Sequence, residues 1–512
     1  MRHLFGIEDA PWRGARQVVP SILDTSELIN GHMLIAGMSG TGKSYQLQRY
    51  IESAQRQGVE VDVFDVHEEL DTLPGAVARK FSEATMLGFN PLVPSLDPHS
   101  GGIRRQIEAV VDLINRTSRK LGPRQESALK HLLSEVYSLR GMWPDNPASW
   151  DRRIITEAEF DDLVQRRDYQ ELRRCQPILR DLLSYAERKL KAITLGADSR
   201  AISALERVEK TTAKLHSLRT KRGKAVTDEE VARVEQQWGE EKTAAIEAYA
   251  EFIGAMETGR EYADLARYSN VETLKSLMER LQDLQDGGIF RSNPPDWQGA
   301  TVRVHQLASL RDDERRLLFF GRCEAILRRA MDAGRTDRLR HVIVADEGHL
   351  YYDQDPDNYI NRVSKEGRKF GVGLVIGSQS PTHFSDDFMT NCAVVVLCGL
   401  HSSFWDGAMR KLRCDRDVLV GTRAREVAAI KLQRLGAPEP RFVNVNVDQA
   451  VVAQAVSQLR AGSTTAQAAV SRGAAGAAGA RDADVAGGAD ASGVRPRGAP
   501  ASSATPFANM VR

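Results

Sequence analysis

Eight residues, Gly37-Met38-Ser39-Gly40-Thr41-Gly42-Lys43-Ser44, restrict the fold of this chain more than any other stretch. They follow the apolar run Met33–Ala36 and open residues 44–56, where Tyr45, Leu47, Tyr50 and Ile51 recur at helical spacing. A buried strand, a glycine-rich turn and a helix in that order begin a parallel α/β sheet. Glycines let the backbone curl so that its N–H groups point inward at an anion, and the helix presents its positive N-terminal end to the same anion. Lys43 is then placed to reach the β- and γ-phosphates of ATP, and Ser44 to ligate Mg2+. The pattern predicts a P-loop, with all eight residues holding the nucleotide.

A P-loop needs acids on a neighbouring strand, and His341–Ala345 supplies a buried strand that ends in Asp346 and Glu347. The first acid is expected to complete the magnesium shell and the second to polarise the attacking water as general base. An acid directly after the magnesium ligand points to hydrolysis and away from a switch, a kinase or a scaffold that only binds nucleotide. Further on, Gln379 stands at the tip of a strand over residues 372–377, where a polar side chain either senses the γ-phosphate or caps loop backbone. Arg368, in Glu366-Gly367-Arg368-Lys369-Phe370-Gly371, is a candidate arginine finger for a neighbouring subunit's site; Arg362 is its rival, and a solvated basic turn is the alternative to both. Asp65-Val66-His67-Glu68-Glu69 ends a second strand over residues 59–66, on the edge where α/β proteins bind ligands, and reads either as a lining of the site or as a strand-end turn.

The order of elements divides the chain. Residues 1–100 alternate strand and helix and form the first part of the core. Residues 101–300 are helical, with a hairpin inserted at 186–262. Its second arm carries Val231, Val234, Trp238, Ala245, Tyr249, Phe252 and Met256 in a heptad-like stripe. Thr227 with Glu230 forms a capping box at its start, after a turn at 221–224. The hairpin is either a packed pair or an exposed arm that grips a partner. Strands return at 301–307, 341–345, 373–377, 393–397 and 442–447, completing the core over 301–460. Residues 461–512 are rich in Ala, Gly and Ser and are expected to be disordered; residues 506–511 end them as either a docking peptide or a frayed end. Five scattered cysteines form no metal spacing and suit a reducing compartment. A net charge of +1 gives no global pull toward nucleic acid, so DNA contact would need a local basic surface. The basic run over residues 409–416 is either such a surface or a solvated helix face. No apolar run approaches the ~20 residues of a membrane span, and the start lacks a secretory signal. The expectation is a cytoplasmic protein, held at a membrane only through a partner.

Taken together, residues 32–44, 65–69, 88–92 (Gly-Phe-Asn-Pro-Leu), 121–125 (Leu-Gly-Pro-Arg-Gln), 287–290 (Gly-Gly-Ile-Phe), 342–349 and 366–381 resemble the FtsK/HerA superfamily of ring-forming ATPases. The likeness is nearest to HerA-like helicases and conjugative type IV secretion ATPases. Residues 418–422 with 428–432 look like the family's closing strand pair. The resemblance covers most of residues 30–450 and implies a RecA-like core with a parallel sheet, a hexameric ring with nucleotide at subunit interfaces, and a pore that threads a polymer. By it Lys43 and Ser44 take the P-loop roles, Asp346 and Glu347 the Walker B roles, Gln379 the sensor role and Arg368 the finger role. The second-strand motif departs from the family's usual Asp-Pro-His-Gly-Glu, the stretch before the P-loop has no room for an N-terminal β-barrel, and the membrane helices of coupling proteins are absent. The expected activity is DNA translocation in conjugation, packaging or DNA processing. The alternative is a secretion or assembly ATPase whose pore holds no DNA, with a protein partner met through the hairpin or the tail.

Overall fold

The computed structural model describes residues 1–459 apart from 71, 100, 117–119, 196–198, 221–227, 255–270, 354 and 356–357. The chain divides into two compact units, one of Met1–Arg79, Trp297–Ala308 and Cys323 onward, the other of Lys80–Asp296 and Ser309–Arg322.

The first unit is built on strands β1 (Arg2–Glu8), β2 (Pro20–Asp24), β3 (Met33–Ala36), β4 (Glu60–Asp65), β5 (Ala76–Lys80), β6 (Val302–Gln306), β7 (His341–Ala345), β8 (Val372–Ser378), β9 (Val394–Leu397), β10 (Val427–Leu432) and β11 (Val443–Asn446). They form one sheet in the order β2-β1-β11-β10-β9-β3-β8-β7-β4-β6-β5. The middle six, β9 to β6, run parallel. Their continuous apolar runs, such as Val342-Ile343-Val344-Ala345, suit strands covered on both faces. The parallel sheet expected from sequence is therefore present but is only the centre: β10, β11, β1 and β2 extend it antiparallel. The helix Lys43–Arg56 covers one face, burying Leu47, Tyr50, Ile51 and Ala54 among Ile35, Val61, Val63, Val344 and Val375.

One sequence expectation fails here. Residues 418–422 are no strand, because Arg416–Val420 is a short helix. Asp415 stands at its N-cap position in an extended conformation and Asp417 in its first turn, where acids favour a helix start. β10 pairs instead with β9 and β11.

The second unit is mostly helical, with Ile103–Asn115, Pro123–Leu139, Glu157–Arg166, Leu179–Leu195, Ser199–Thr220, Asp228–Gly254 and Val271–Asp286 as its longer helices. Three stretches of the family resemblance fall within it. Phe89 donates its N–H to the Ile289 carbonyl at 2.9 Å, and the Phe89 and Phe290 rings meet edge-on at 5.4 Å. Gln125 accepts from the Gly122 N–H at 2.9 Å, satisfying one open donor at the helix start that Pro123 sets. The paired helices begin at Ser199, since residues 186–195 continue the helix Leu179–Leu195. Val231, Val234 and Ala245 are buried between them as the stripe requires. Met256, the Thr227 capping box, the turn at 221–224, the hairpin's end to 262 and residues 461–512 with their terminal peptide lie outside the described residues. Among the described residues no helix is long and apolar enough to cross a membrane. All five cysteines are free thiols, Cys414 half-buried and the others buried.

Candidate active site

The loop after β3 is anchored at its start by the neighbouring strand ends. Gly37 donates to the carbonyl of Ser378, the last residue of β8, at 3.0 Å, and Met38 to that of Gly399, just past β9, at 2.9 Å. Gly40 and Gly42 sit at φ +78° and +104°, conformations that side chains rarely adopt. The curl they allow lines a cavity of about 670 Å³ that the loop shares with His67, Glu69, Asp346, Glu347, Gln379 and Arg425. Lys43, the first residue of the following helix, is buried and its Nζ forms an ion pair with Glu347 Oε1. Ser44 Oγ donates to Glu69 Oε2 at 2.8 Å.

β7 delivers the two acids to the same cavity. Asp346 is 1% exposed, and its Oδ1 accepts no hydrogen bond among the described residues. Burial, with the Glu347 and Asp65 carboxylates adding to it against the Lys43 ammonium, pushes the Asp346 carboxyl up to about 6. An unsatisfied buried oxygen is costly, and a hard divalent cation is the partner that would relieve it. Asp346 with the Ser44 hydroxyl therefore fits magnesium. Glu347 lies at φ +51°, a left-handed conformation that stores strain in a non-glycine residue. Burial raises its carboxyl too, but the His349 ring, with Nδ1 3.2 Å from Oε2, and the Lys43 ammonium outweigh this and hold it at about 2. Glu347 is thus a carboxylate throughout the neutral range, as a general base must be.

The second-strand motif is partly drawn in. Asp65 is turned to its own loop, accepting from the His67 and Leu70 N–H groups at 3.1 and 2.8 Å, while His67 and Glu69 reach the cavity. Gln379, one residue past β8, lines it as expected. Arg368 does not line it: it is exposed on the turn Gly367–Phe370 and makes no ion pair among the described residues. Arg362 is half-buried and engaged, 2.7 Å from Glu324 and stacked over Tyr359. The basic run at 409–416 is also occupied, with Lys411 3.0 Å from Asp386 and Arg416 over the Trp405 ring.

Sequence reasoning missed two features. Arg425 lies against the loop, its Nε donating to the Gly40 carbonyl and its backbone N–H to that of Thr41, both at 3.0 Å. Nothing local marks it, since β10 carries it there from 385 residues away. His349 stands with Nδ1 3.2 Å from Glu347 Oε2, and its ring centroid is 4.9 Å from that of His383. His383 Nδ1 in turn meets Ser378 Oγ at 3.0 Å. The placing of His349 two residues after the base was the signal available for it.

Comparison with known proteins bears on the family and the fold. Residues 13–310 match the family described as helicase HerA, central domain. No curated protein sequence matches the chain. Among solved structures, VirB4 of Thermoanaerobacter pseudethanolicus superposes with a TM-score of 0.54 at 15% identity, over 87% of this chain and 96% of that one. The plasmid coupling protein TrwB in complex with a non-hydrolysable ATP analogue gives a TM-score of 0.45 at 12% identity, over 83% and 86%.

Proposed function

Because the chain belongs to the helicase HerA central-domain family, P-loop ATPases of the FtsK/HerA type, we propose that it is an ATP-hydrolysing ring motor that translocates DNA. The observation that carries the hydrolytic part is the meeting of Lys43, Ser44, Asp346 and Glu347 around one cavity. Residues 37–44 hold ATP, Lys43 meeting its β- and γ-phosphates. Ser44 and Asp346 would hold Mg2+, which when bound would neutralise charge developing on the transferred phosphoryl group. Glu347 takes a proton from the attacking water, and His349 keeps its carboxylate oriented. Gln379 stands where the γ-phosphate would be felt. Arg425 secures the loop's curl through the Gly40 and Thr41 carbonyls. Arg368, exposed and outside its own cavity, is suited to complete the site of the next subunit in a ring, where it would stabilise transition-state charge.

DNA in the pore would be tracked through its phosphates, so its effect should fade with salt. The test is steady-state ATP hydrolysis with and without single- and double-stranded DNA at two salt concentrations, with Glu347→Gln as blank. Stimulation by DNA that falls at the higher salt supports the translocase. A second reading, a motor that energises secretion without threading DNA and meets the membrane through its partners, draws support from the fold shared with VirB4 along nearly its full length. Hydrolysis indifferent to DNA would select that reading, and no hydrolysis above the blank would remove both.

A further inference from the structure

Two helices of the second unit, Ser199–Thr220 and Asp228–Gly254, form an antiparallel arm that the proposed chemistry does not use. At 1.5 Å per residue they are about 33 and 40 Å long. Cross-links set their register. Arg200 Nη1 lies 2.9 Å from Glu251 Oε2, Thr211 Oγ1 donates to Glu241, Trp238 Nε1 donates to Thr212 Oγ1 at 2.9 Å, and Arg219 lies 2.6 Å from Glu235. Leu205 is midway between Arg200 and Thr211, and Ile246 midway between Glu241 and Glu251, so the two stand level.

Helical geometry places them on one face. Leu205, Thr212 and Arg219 recur every seven residues and share a stripe, as do Glu235, Lys242, Ile246 and Ile253 at spacings of seven, four and seven, with the Lys242 ammonium drawn aside over the Trp238 ring at 5.0 Å. The Arg219–Glu235 ion pair bridges the two stripes. Leu205, Ile246 and Ile253 are 37, 62 and 54% exposed, and Ala250 between the isoleucines is exposed as well. Each residue turns the helix about 100°. Ala245 therefore faces inward, Ile246 lies on the exposed apolar face, and Glu247 lies on the outer edge, with Glu240 seven residues before it. On the other helix the buried Leu215 is preceded by Lys214, which turns to the face opposite Leu205. Arg207, Lys210 and Lys214, spaced by three and four and all exposed, form a basic row there.

The arm thus carries an apolar stripe with an acidic edge on one side and a basic row on the other. Charge agrees over the full lengths: the first helix has five Lys or Arg against two Glu, the second eight acids against two bases. We propose that arms of neighbouring copies stack head to tail, the basic row of one seated on the Ile246–Ala250–Ile253 stripe and the Glu240–Glu247 edge of the next. The aliphatic stems of Arg207, Lys210 and Lys214 cover the isoleucines while their charged heads reach the carboxylates. Joining two different faces, the contact is heterologous, the kind that closes into rings, and in this it rests on the ring reading above.

The test follows assembly of the full chain by sedimentation velocity across protein concentration. Lys210→Glu with Lys214→Glu, and separately Glu240→Lys with Glu247→Lys, alter exposed side chains only. Each double variant should raise the concentration needed for assembly by about tenfold or more, since like charges then face each other. An equimolar mixture of the two should recover part of the loss, because both mixed junctions, one charge-reversed and one as in the wild type, bring opposite charges together while the two like-with-like junctions stay repulsive. Wild-type assembly with both variants unchanged, or with no recovery on mixing, overturns the arm contact and leaves the ring. A wild-type chain that stays monomeric at every concentration overturns both.

Discussion

Asp346 and Glu347 share a strand end yet titrate in opposite directions, because the first is buried without a hydrogen-bonded cation and the second is held by Lys43 and His349. The Asp346 carboxyl is raised from 3.8 to about 6, so the folded state holds this proton more tightly than the unfolded chain. Its ionisation therefore costs stability progressively as pH rises from 3.8 to 6, and the cost is complete above that window. Asp346→Asn should make the metal- and nucleotide-free protein more stable by about 3 kcal/mol at pH 7.5, with the gain shrinking through pH 6 and gone near pH 4. Thermal unfolding across that range checks it; a pH-independent difference would contradict the assignment. The same substitution should weaken magnesium-dependent nucleotide binding, so stability and binding move apart. At this scale the sequence was most legible where chemistry is local. The P-loop and the paired acids are short, contiguous and strict in residue type, whereas Arg425 reaches Gly40 only through the folded sheet.

Among elements, the middle of the sheet is held by more than apolar packing. Asp62 on β4, fully buried, accepts from His305 on β6 at 2.8 Å, from His341 at the start of β7 at 2.9 Å and from Arg303 on β6 at 3.1 Å. Removing one partner of such a network leaves charge uncompensated in low dielectric. Asp62→Ala should cost about 3–5 kcal/mol, read as an earlier urea midpoint, and Asp62→Asn should cost less because it retains an acceptor oxygen. A loss under 1 kcal/mol for Asp62→Ala, a surface-pair magnitude, would refute the role. The alternation Glu60-Val61-Asp62-Val63 was readable as strand, but the meeting of Asp62 with residues 241 to 279 positions away was not. Parallel strands announced themselves through unbroken apolar runs. The antiparallel flank did not: β1 and β2 precede the P-loop yet lie beside β11 near the other end of the chain. At residues 418–422 the family resemblance suggested a strand, while Asp415 and Asp417 decided for the helix Arg416–Val420.

For the whole molecule, the ring reading requires that one subunit supply what another lacks. Arg368→Ala should leave nucleotide binding intact and abolish turnover, whereas Lys43→Ala should abolish binding. Mixed together, the two inactive proteins should regain a fraction of wild-type hydrolysis, since some interfaces pair an intact Lys43 site with an intact Arg368. A mixture that stays at the blank would remove Arg368 as a group acting in trans. The ion pair of Lys43 with Glu347 has a consequence for such an assembly. The ammonium is counter-ion to the carboxylate proposed to activate water. In the ring proposed above, phosphate charge that draws Lys43 away would free this carboxylate to act as base. Firing order around the proposed ring would then follow occupancy alone, each site armed by its own cargo of fuel.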